Sequence, residues 1–327
     1  MLLLFVGASA AHLLAGDLLR LEQSLDAMGS VYTVVAYGED RGKLLAAVDE
    51  AFDEVRRLDR MLSNYRADSE LSRVNREAGQ GPVKVSEELF GLLQACDAYS
   101  RQSEGAFDIT VGPLMKIWGF YKGSGRLPHR AEIRGVLRRI GYSNVTFDAA
   151  ARTVRFARAG MELDPGGIGK GYAVDRMLAI LKSARIHTAL ISAGNSSIYA
   201  LGAPPAEPGW KISIRHPKDS TRQVDEVILK DKSMSTSGTS EKFFKAEGRV
   251  YSHIMDPRTG FPAKGMLSVS VIAPATTDSE AWTKPVFING REWTAKHLRG
   301  NPRMKDFRFF LCEDRQGGSE QACAWLQ

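Results

Sequence analysis

A histidine and an aspartate three residues apart stand in the stretch Tyr251-Ser-His-Ile-Met-Asp-Pro-Arg-Thr-Gly260. An imidazole titrates near neutrality, and beside a carboxylate it is suited to proton transfer. A strand over Tyr251–Met255 places His253 and Met255 on one face and Ser252 and Ile254 on the other. Asp256-Pro257 then opens a turn, with Gly260 able to close it. His253 and Asp256 are therefore the candidate catalytic residues. The plain alternative is a buried histidine beside an ordinary turn.

Two further segments offer groups for a phosphate. Met161-Glu-Leu-Asp-Pro-Gly-Gly-Ile-Gly-Lys-Gly171 sets glycines between a strand and a helix. Glycines let backbone N–H groups approach an anion, and the helix start adds partial positive charge. Lys170 adds a full charge. The spacing is neither that of a P-loop nor that of a dinucleotide fingerprint. It reads as a generic phosphate site or as a structural glycine turn. Ser233-Met-Ser-Thr-Ser-Gly-Thr-Ser240 brings several hydroxyls together, as a phosphate cradle or a solvated loop. No Gly-x-Ser-x-Gly nucleophile elbow occurs.

Hydrophobic periodicity supplies the elements that hold these groups. Ser30–Tyr37 reads as a strand, and Leu44, Val48, Phe52, Val55 and Leu58 have helical spacing within a helix over Lys43–Leu62. Ser63–Asn75 is polar and turn-prone. Helices are expected over Ser86–Ser103, Arg130–Ile140, Tyr172–Ala184 and Glu280–Leu298, with a loop over Gly105–Leu114. Alternating runs near Val145 and Val154 suggest a hairpin. Strands are expected at Thr188–Ser192, Trp210–Ile214, Val224–Leu229, Met234 and Leu267–Ile272. Without steady βαβ alternation, the fold class is α+β, with mixed or antiparallel sheets.

Composition narrows the partners. At 327 residues, 43% hydrophobic and 25% charged, the chain has the make-up of an ordinary globular protein. Its net charge of +6 is spread along the sequence with no basic block, which argues against nucleic acid. Cys96 falls in the apolar pattern of Leu89, Leu92 and Leu93 and reads as core, while a Cys312–Cys323 bridge stays open. The apolar, small-residue-rich start Met1-Leu-Leu-Leu-Phe-Val-Gly-Ala-Ser-Ala-Ala11 is too short to span a bilayer. Residues 1–24 are taken as a leader or signal segment without a basic n-region, and 25–327 as one domain.

In order along the chain, these segments resemble the ApbE family of flavin transferases, the FAD:protein FMN transferases. The resemblance rests on Met28-Gly-Ser30, Ser63-Asn-Tyr65, Ser69-Glu-Leu-Ser-Arg-Val-Asn75 and Gly105-Ala-Phe-Asp-Ile-Thr110 with Pro113-Leu114. It continues through Asp164–Asp175, Ser235-Thr-Ser-Gly238 and His253–Gly260, and spans roughly residues 25 to 310. It implies an ApbE-like fold with a ligand cleft, binding of FAD, and Mg²⁺-assisted cleavage of its pyrophosphate. FMN would then pass to a Ser or Thr hydroxyl of an acceptor protein. It implies FAD contacts at Met28, Tyr65, Ala106, Phe107, Asp108, Asp164, Ser237, Gly238 and Ile254, with Lys170 and His253 at the phosphates. His253 becomes the general base. Family members commonly act outside the cytoplasm, which implies a periplasmic location or the periplasmic face of a membrane; a cytoplasmic one is the alternative.

One departure bears on the metal. The resemblance implies Mg²⁺ ligands at Gly167 and on a late helix, as an Asp and a Thr four residues on. Counting back from Val286-Phe-Ile-Asn-Gly290 puts Glu280 and Lys284 at those places. An ammonium has only donors and cannot ligate a metal. Oxygen ligands are restored by taking Thr283, one residue back, with Asp278, two back, and Glu280 with Lys284 also makes a plain i,i+4 pair, with Thr277-x-x-Glu280 as a capping box. Mg²⁺ is thus conditional on what Lys284 does. Two other readings follow from an altered metal site: a flavin-binding protein without efficient transfer, or an FAD pyrophosphatase giving FMN and AMP.

Overall fold

A computed structural model describes residues 18–314 and 322–326. Eight strands form its central sheet: β1 (Leu19–Ala27), β2 (Ser30–Gly38), β3 (Thr188–Ala193), β4 (Ser197–Leu201), β5 (Lys232–Gly238), β6 (Met266–Ala273), β7 (Arg308–Glu313) and β8 (Ala322–Leu326). They lie side by side in chain order, and every neighbouring pair is antiparallel. All other elements are insertions into this meander. The β2–β3 connection carries α1 (Arg41–Leu62), α2 (Glu70–Glu77), α3 (Glu87–Gln102), α4 (Gly112–Ile117), α5 (Arg130–Leu137) and α6 (Gly169–Ser183). It also holds a small sheet of strands 83–84, 153–156 and 145–148. The β6–β7 connection is α7 (Thr276–Gly300). The α+β class with antiparallel sheets is what the chain adopts.

The apolar pattern dictates how the layers stack. In β2, Tyr32, Val34 and Ala36 are fully buried at alternate positions, the period-2 signature of a strand with one face on a core. The helix α1 turns Leu44, Val48, Ala51, Val55 and Leu58 into the same core, with Asp40 capping its start by accepting the Lys43 N–H. Helix α6 packs against α1 on one side and α7 on the other. In turn, α7 lies on β5 and β6, with Trp282, Val286 and Phe287 against Val269, Val271, Phe309 and Leu311. The opposite face is covered by a hairpin of strands 210–216 and 219–229, through Trp210, Ile212, Ile214 and Val227. Covered from both sides, all eight residues of β6 are buried.

Several expectations shift. The boundary at residue 25 falls inside β1, which pairs with β2 along its whole length, so the sheet is under way by Leu19; residues 1–17 of the expected leader lie outside the described residues. The stretch 63–75 is not all turn, because the Ser69 hydroxyl caps α2 by accepting the Ser72 N–H, and Leu71 and Val74 are buried. The loop expected over 105–114 gives way to α4 at Gly112. The strand expected over 251–255 is interrupted: strand 249–252 pairs back on 243–246, and strand 255–256 pairs forward on 261–262. His253 and Ile254 bridge two separate ladders, so simple alternation does not place them. The late helix starts earlier than expected and bends at Gly290, whose φ of 78° is left-handed.

Candidate functional site

The site is built around the N-termini of α6 and α7, which cap one another. Ile168 at the N-cap of α6 offers no side-chain acceptor. Instead Glu280 reaches across from α7, and its Oε2 accepts the Gly171 N–H at 2.5 Å. Reciprocally, Asp175 of α6 accepts the N–H groups of Thr276 and Thr277 at 2.8 Å and the Thr277 hydroxyl at 2.6 Å. The capping box expected for Thr277 and Glu280 is therefore replaced by a crossed pair of caps, each satisfying orphan donors of the other helix. Gly171 permits this approach: a Cβ there would lie 2.5 Å from the Thr276 carbonyl oxygen.

Lys284 lies one turn further along α7. Its Nζ donates to the Glu280 carbonyl at 3.1 Å and stands 3.9 Å from Glu280 Oε1, with the side chain only 21% exposed. Its stem crosses Gly167, where a Cβ would sit 3.5 Å from Lys284 Cε. Burial lowers its pKa, and neighbouring Lys170 adds to this while Glu280 opposes it. Gly167, Glu280 and Lys284 do converge. The other expected metal ligands are committed elsewhere. The Thr283 hydroxyl donates to the Glu280 carbonyl at 2.7 Å and accepts from Ser237 at 2.8 Å. Asp278 accepts the Tyr99 hydroxyl at 2.5 Å.

These donors do not fit a divalent ion. Mg²⁺ asks for about six oxygen ligands in a near-octahedral shell. Here one carboxylate oxygen of Glu280 is used by a helix N–H, the hydroxyl of Thr283 is used twice, and an ammonium stands at the remaining position. Among the described residues no group of three His, Cys, Asp or Glu side chains is arranged to hold a metal.

His253 completes the site from the other side. Its Nδ1 lies 3.0 Å from the Lys242 carbonyl oxygen, and its own N–H donates to that same oxygen. A carbonyl only accepts, so Nδ1 carries the proton and Nε2 keeps its lone pair. Burial lowers the His253 pKa to about 4, and the nearby ammoniums of Lys284, Lys242 and Lys170 push in the same direction. Lys170 is itself held by the hydroxyl of Ser196, in the turn between β3 and β4. Burial and the field of three cations thus hold one imidazole neutral.

Asp256 does not join it. Its carboxylate accepts the Arg258 N–H at 3.0 Å and the Arg258 guanidinium at 2.9 and 3.1 Å, while Arg258 continues to Asn289. The Asp-Pro turn claims the carboxylate locally, and a backbone carbonyl orients the histidine in its place. Asp256, expected beside His253 as a catalytic residue, is engaged within its own turn.

The expected flavin-contacting residues divide in the same way. Met28 and Gly29 form the two-residue β1–β2 turn, both at positive φ (51° and 65°), as a type I′ turn requires. From there the Met28 Sδ accepts the Tyr32 hydroxyl, and its Cε lies 3.4 Å from where a Cβ would stand on Gly169. Asp164 caps the Pro165–Gly167 turn by accepting the Gly166 N–H at 2.8 Å and the Tyr121 hydroxyl at 2.7 Å. Burial raises its pKa against those two bonds and the charge of Lys242. Tyr65 is 76% exposed and stands edge-on to Tyr121. Phe107 is buried behind Gly167.

The remaining positions are internal. Ala106 is buried, and the Asp108 carboxylate is filled by Thr110 and by the Tyr142 N–H. Ser237 spends its hydroxyl on Thr283, Gly238 ends β5, and Ile254 packs with Val269 and Trp282. Lys242, Tyr121, Asp175 and Ser196 were not singled out from the sequence. Each acts through a partner at least 26 residues away, except Lys242, eleven residues from His253. Of these, Asp175 lies in the Asp164–Asp175 segment that carries the resemblance.

Comparison with known proteins bears on this geometry. A family described as "ApbE family" matches residues 28–306. An FAD:protein FMN transferase of Klebsiella pneumoniae is 34% identical over 276 residues, 83% of each chain. One from Treponema pallidum is 34% identical over 272 residues, 79% of this chain and 75% of that one. The crystal structure of the ApbE protein from Thermotoga maritima superposes with a TM-score of 0.83 at 30% identity, covering 93% of this chain and 97% of that one. The apo flavinyl transferase ApbE of Pseudomonas stutzeri gives 0.82 at 26% identity, covering 94% and 95%.

Proposed function

The chain belongs to the ApbE family, and on that premise we propose that it transfers FMN from FAD to an acceptor protein and releases AMP. The observation that carries this reading is the convergence of Lys170, Lys242 and Lys284 on a tautomer-locked His253 beside the start of α6. A pyrophosphate carries two negative charges, and a helix start with three ammoniums is a site of matching sign. The flavin half would lie toward Met28, Tyr65 and Asp164.

We infer that the acceptor is a Ser or Thr hydroxyl, because a hydroxyl needs the base that His253 provides. Nε2 takes the hydroxyl proton as the oxygen bonds to the phosphorus on the FMN side. The bond from that phosphorus to the bridging oxygen breaks, and AMP leaves with the bridging oxygen; His253 then gives its proton to water. A pKa of about 4 makes the free imidazole a weak base. The substrate acts on the part of this shift that the lysines cause: its negative charges offset the three ammoniums and raise the basicity of His253 when FAD is in place. The lysines also face the charge that builds on the phosphoryl oxygens.

We further propose that the protein works outside the cytoplasm. The Cys312–Cys323 disulfide between β7 and β8 supports this, since structural disulfides persist in oxidising compartments. Incubating the protein with FAD and a candidate acceptor, followed by intact-mass spectrometry, tests the reaction. An FMN-sized adduct on the acceptor supports transfer. Free FMN and AMP without adduct would show hydrolysis, and unchanged FAD would show binding alone.

A further inference from the structure

The misfit between the donor set and a divalent ion has a constructive reading. Lys284 does not merely occupy a place from which a ligand is missing. Its methylenes cross Gly167, and its ammonium rests on the Glu280 carbonyl with the Glu280 carboxylate nearby. Glu280 is in turn fixed by the Gly171 N–H, so the cation is positioned by a chain of contacts that starts in the backbone of α6. A surface i,i+4 pair would hold its lysine loosely and in water. This one is four-fifths covered and stands in the same field at His253 as Lys170 and Lys242.

The charge balance points the same way. Glu280 and Glu241 act on Lys284 and Asp164 on Lys242, while all three ammoniums act on His253. A largely covered ammonium such as Lys284 is costly to keep out of water, and an anionic ligand beside it offsets that cost. Resting on the reading that FAD is the substrate, we propose that the Lys284 ammonium is a built-in counter-cation for the FAD pyrophosphate, so that this protein binds FAD without a divalent metal.

FAD titrations followed by flavin fluorescence, on protein stripped with chelator and with or without Mg²⁺, test this directly. The wild-type dissociation constant is expected to agree within about twofold between the two conditions. In Lys284→Met, close in shape but uncharged, affinity should fall about tenfold or more and stay low when Mg²⁺ is added. In Lys284→Thr, which frees Glu280 Oε1 and supplies a hydroxyl, Mg²⁺ should restore part of the loss. Wild-type binding that disappears with chelator and returns with Mg²⁺ would overturn the proposal and leave the transferase reading intact. So would a Lys284→Met variant that binds FAD as the wild type does, since a lysine serving only α7 would change melting temperature and not affinity. No FAD binding under either condition would sink the substrate reading itself, and this inference with it.

Discussion

At the scale of single residues, the site separates groups that look alike in the sequence. His253 and Asp256 are neighbours on paper, yet Asp256 spends its carboxylate on Arg258 while His253 is oriented by the Lys242 carbonyl. The histidine is left neutral and metastable, which makes it measurable. The unfolded chain takes up its proton near the ordinary value of about 6.5, whereas the folded protein refuses it until about 4. Between those two pH values the unfolded state binds more protons, so this group lowers stability as pH falls through the window and contributes nothing to the slope above it. Urea melts of His253→Gln against wild type should therefore converge, or cross in favour of the variant, between pH 6.5 and 4. A constant difference across that range would show that the imidazole is not held neutral by its surroundings. The same substitution should cut transfer by about 10² to 10⁴-fold, while FAD affinity stays within a few-fold. Transfer that survives would take the base role away from His253.

At the scale of elements, the decisive feature is one that periodicity cannot reveal. The apolar spacing located α1, α3, α5, α6 and most of α7, because each buries one stripe against a core. It could not show that α6 and α7 begin against one another, since Asp175 and Glu280 each act on backbone more than one hundred residues away. The sign that was legible is glycine. Gly171 reads in sequence as part of a phosphate loop, and in the structure it is the point where two helix starts touch. Gly171→Ala would place a Cβ 2.5 Å from the Thr276 carbonyl oxygen and 3.0 Å from Glu280 Oε2. Backbone cannot yield as a flexible side chain does, so overpacking should cost roughly 1–3 kcal/mol. Stability and FAD affinity should fall together, because the same shift moves Glu280 and Lys284. Gly91 in α3 is the control: nothing lies within 4 Å of a Cβ there, and Gly91→Ala should stabilise by roughly 0.5–1 kcal/mol. Thermal melts and FAD titrations on both variants read this out. Normal FAD binding in Gly171→Ala would mean that the crossed caps do not set the site.

At the scale of the whole molecule, the meander explains why so much of the fold was readable and why its ends were not. Strands that follow one another in sequence pair in space, so local pattern and sheet order agree from β2 to β6. The two outer regions lack that support. The expected leader, read from the apolar start of the chain, overlaps the first part of β1, whose mostly exposed pattern befits an edge strand and gives no clear apolar alternation in the sequence. At the other edge, β8 pairs among the described residues with β7 alone, and side-chain anchors add to that pairing. Trp325 donates to Asp225 at 2.6 Å and stacks under Arg308, and Cys323 is bonded to Cys312 directly across the ladder. Cross-linking residues eleven apart removes roughly 2–3 kcal/mol of freedom from the unfolded chain. The site lies over β5 and β6, so this reinforcement serves the edge and not the chemistry. Reductant, or the Cys312→Ala/Cys323→Ala double variant, should lower the melting temperature by several degrees. FAD affinity at moderate temperature should stay as it was. A protein whose melting is indifferent to reductant would remove the disulfide as support for a location outside the cytoplasm. One that loses FAD binding on reduction would show that the edge strands hold the site after all.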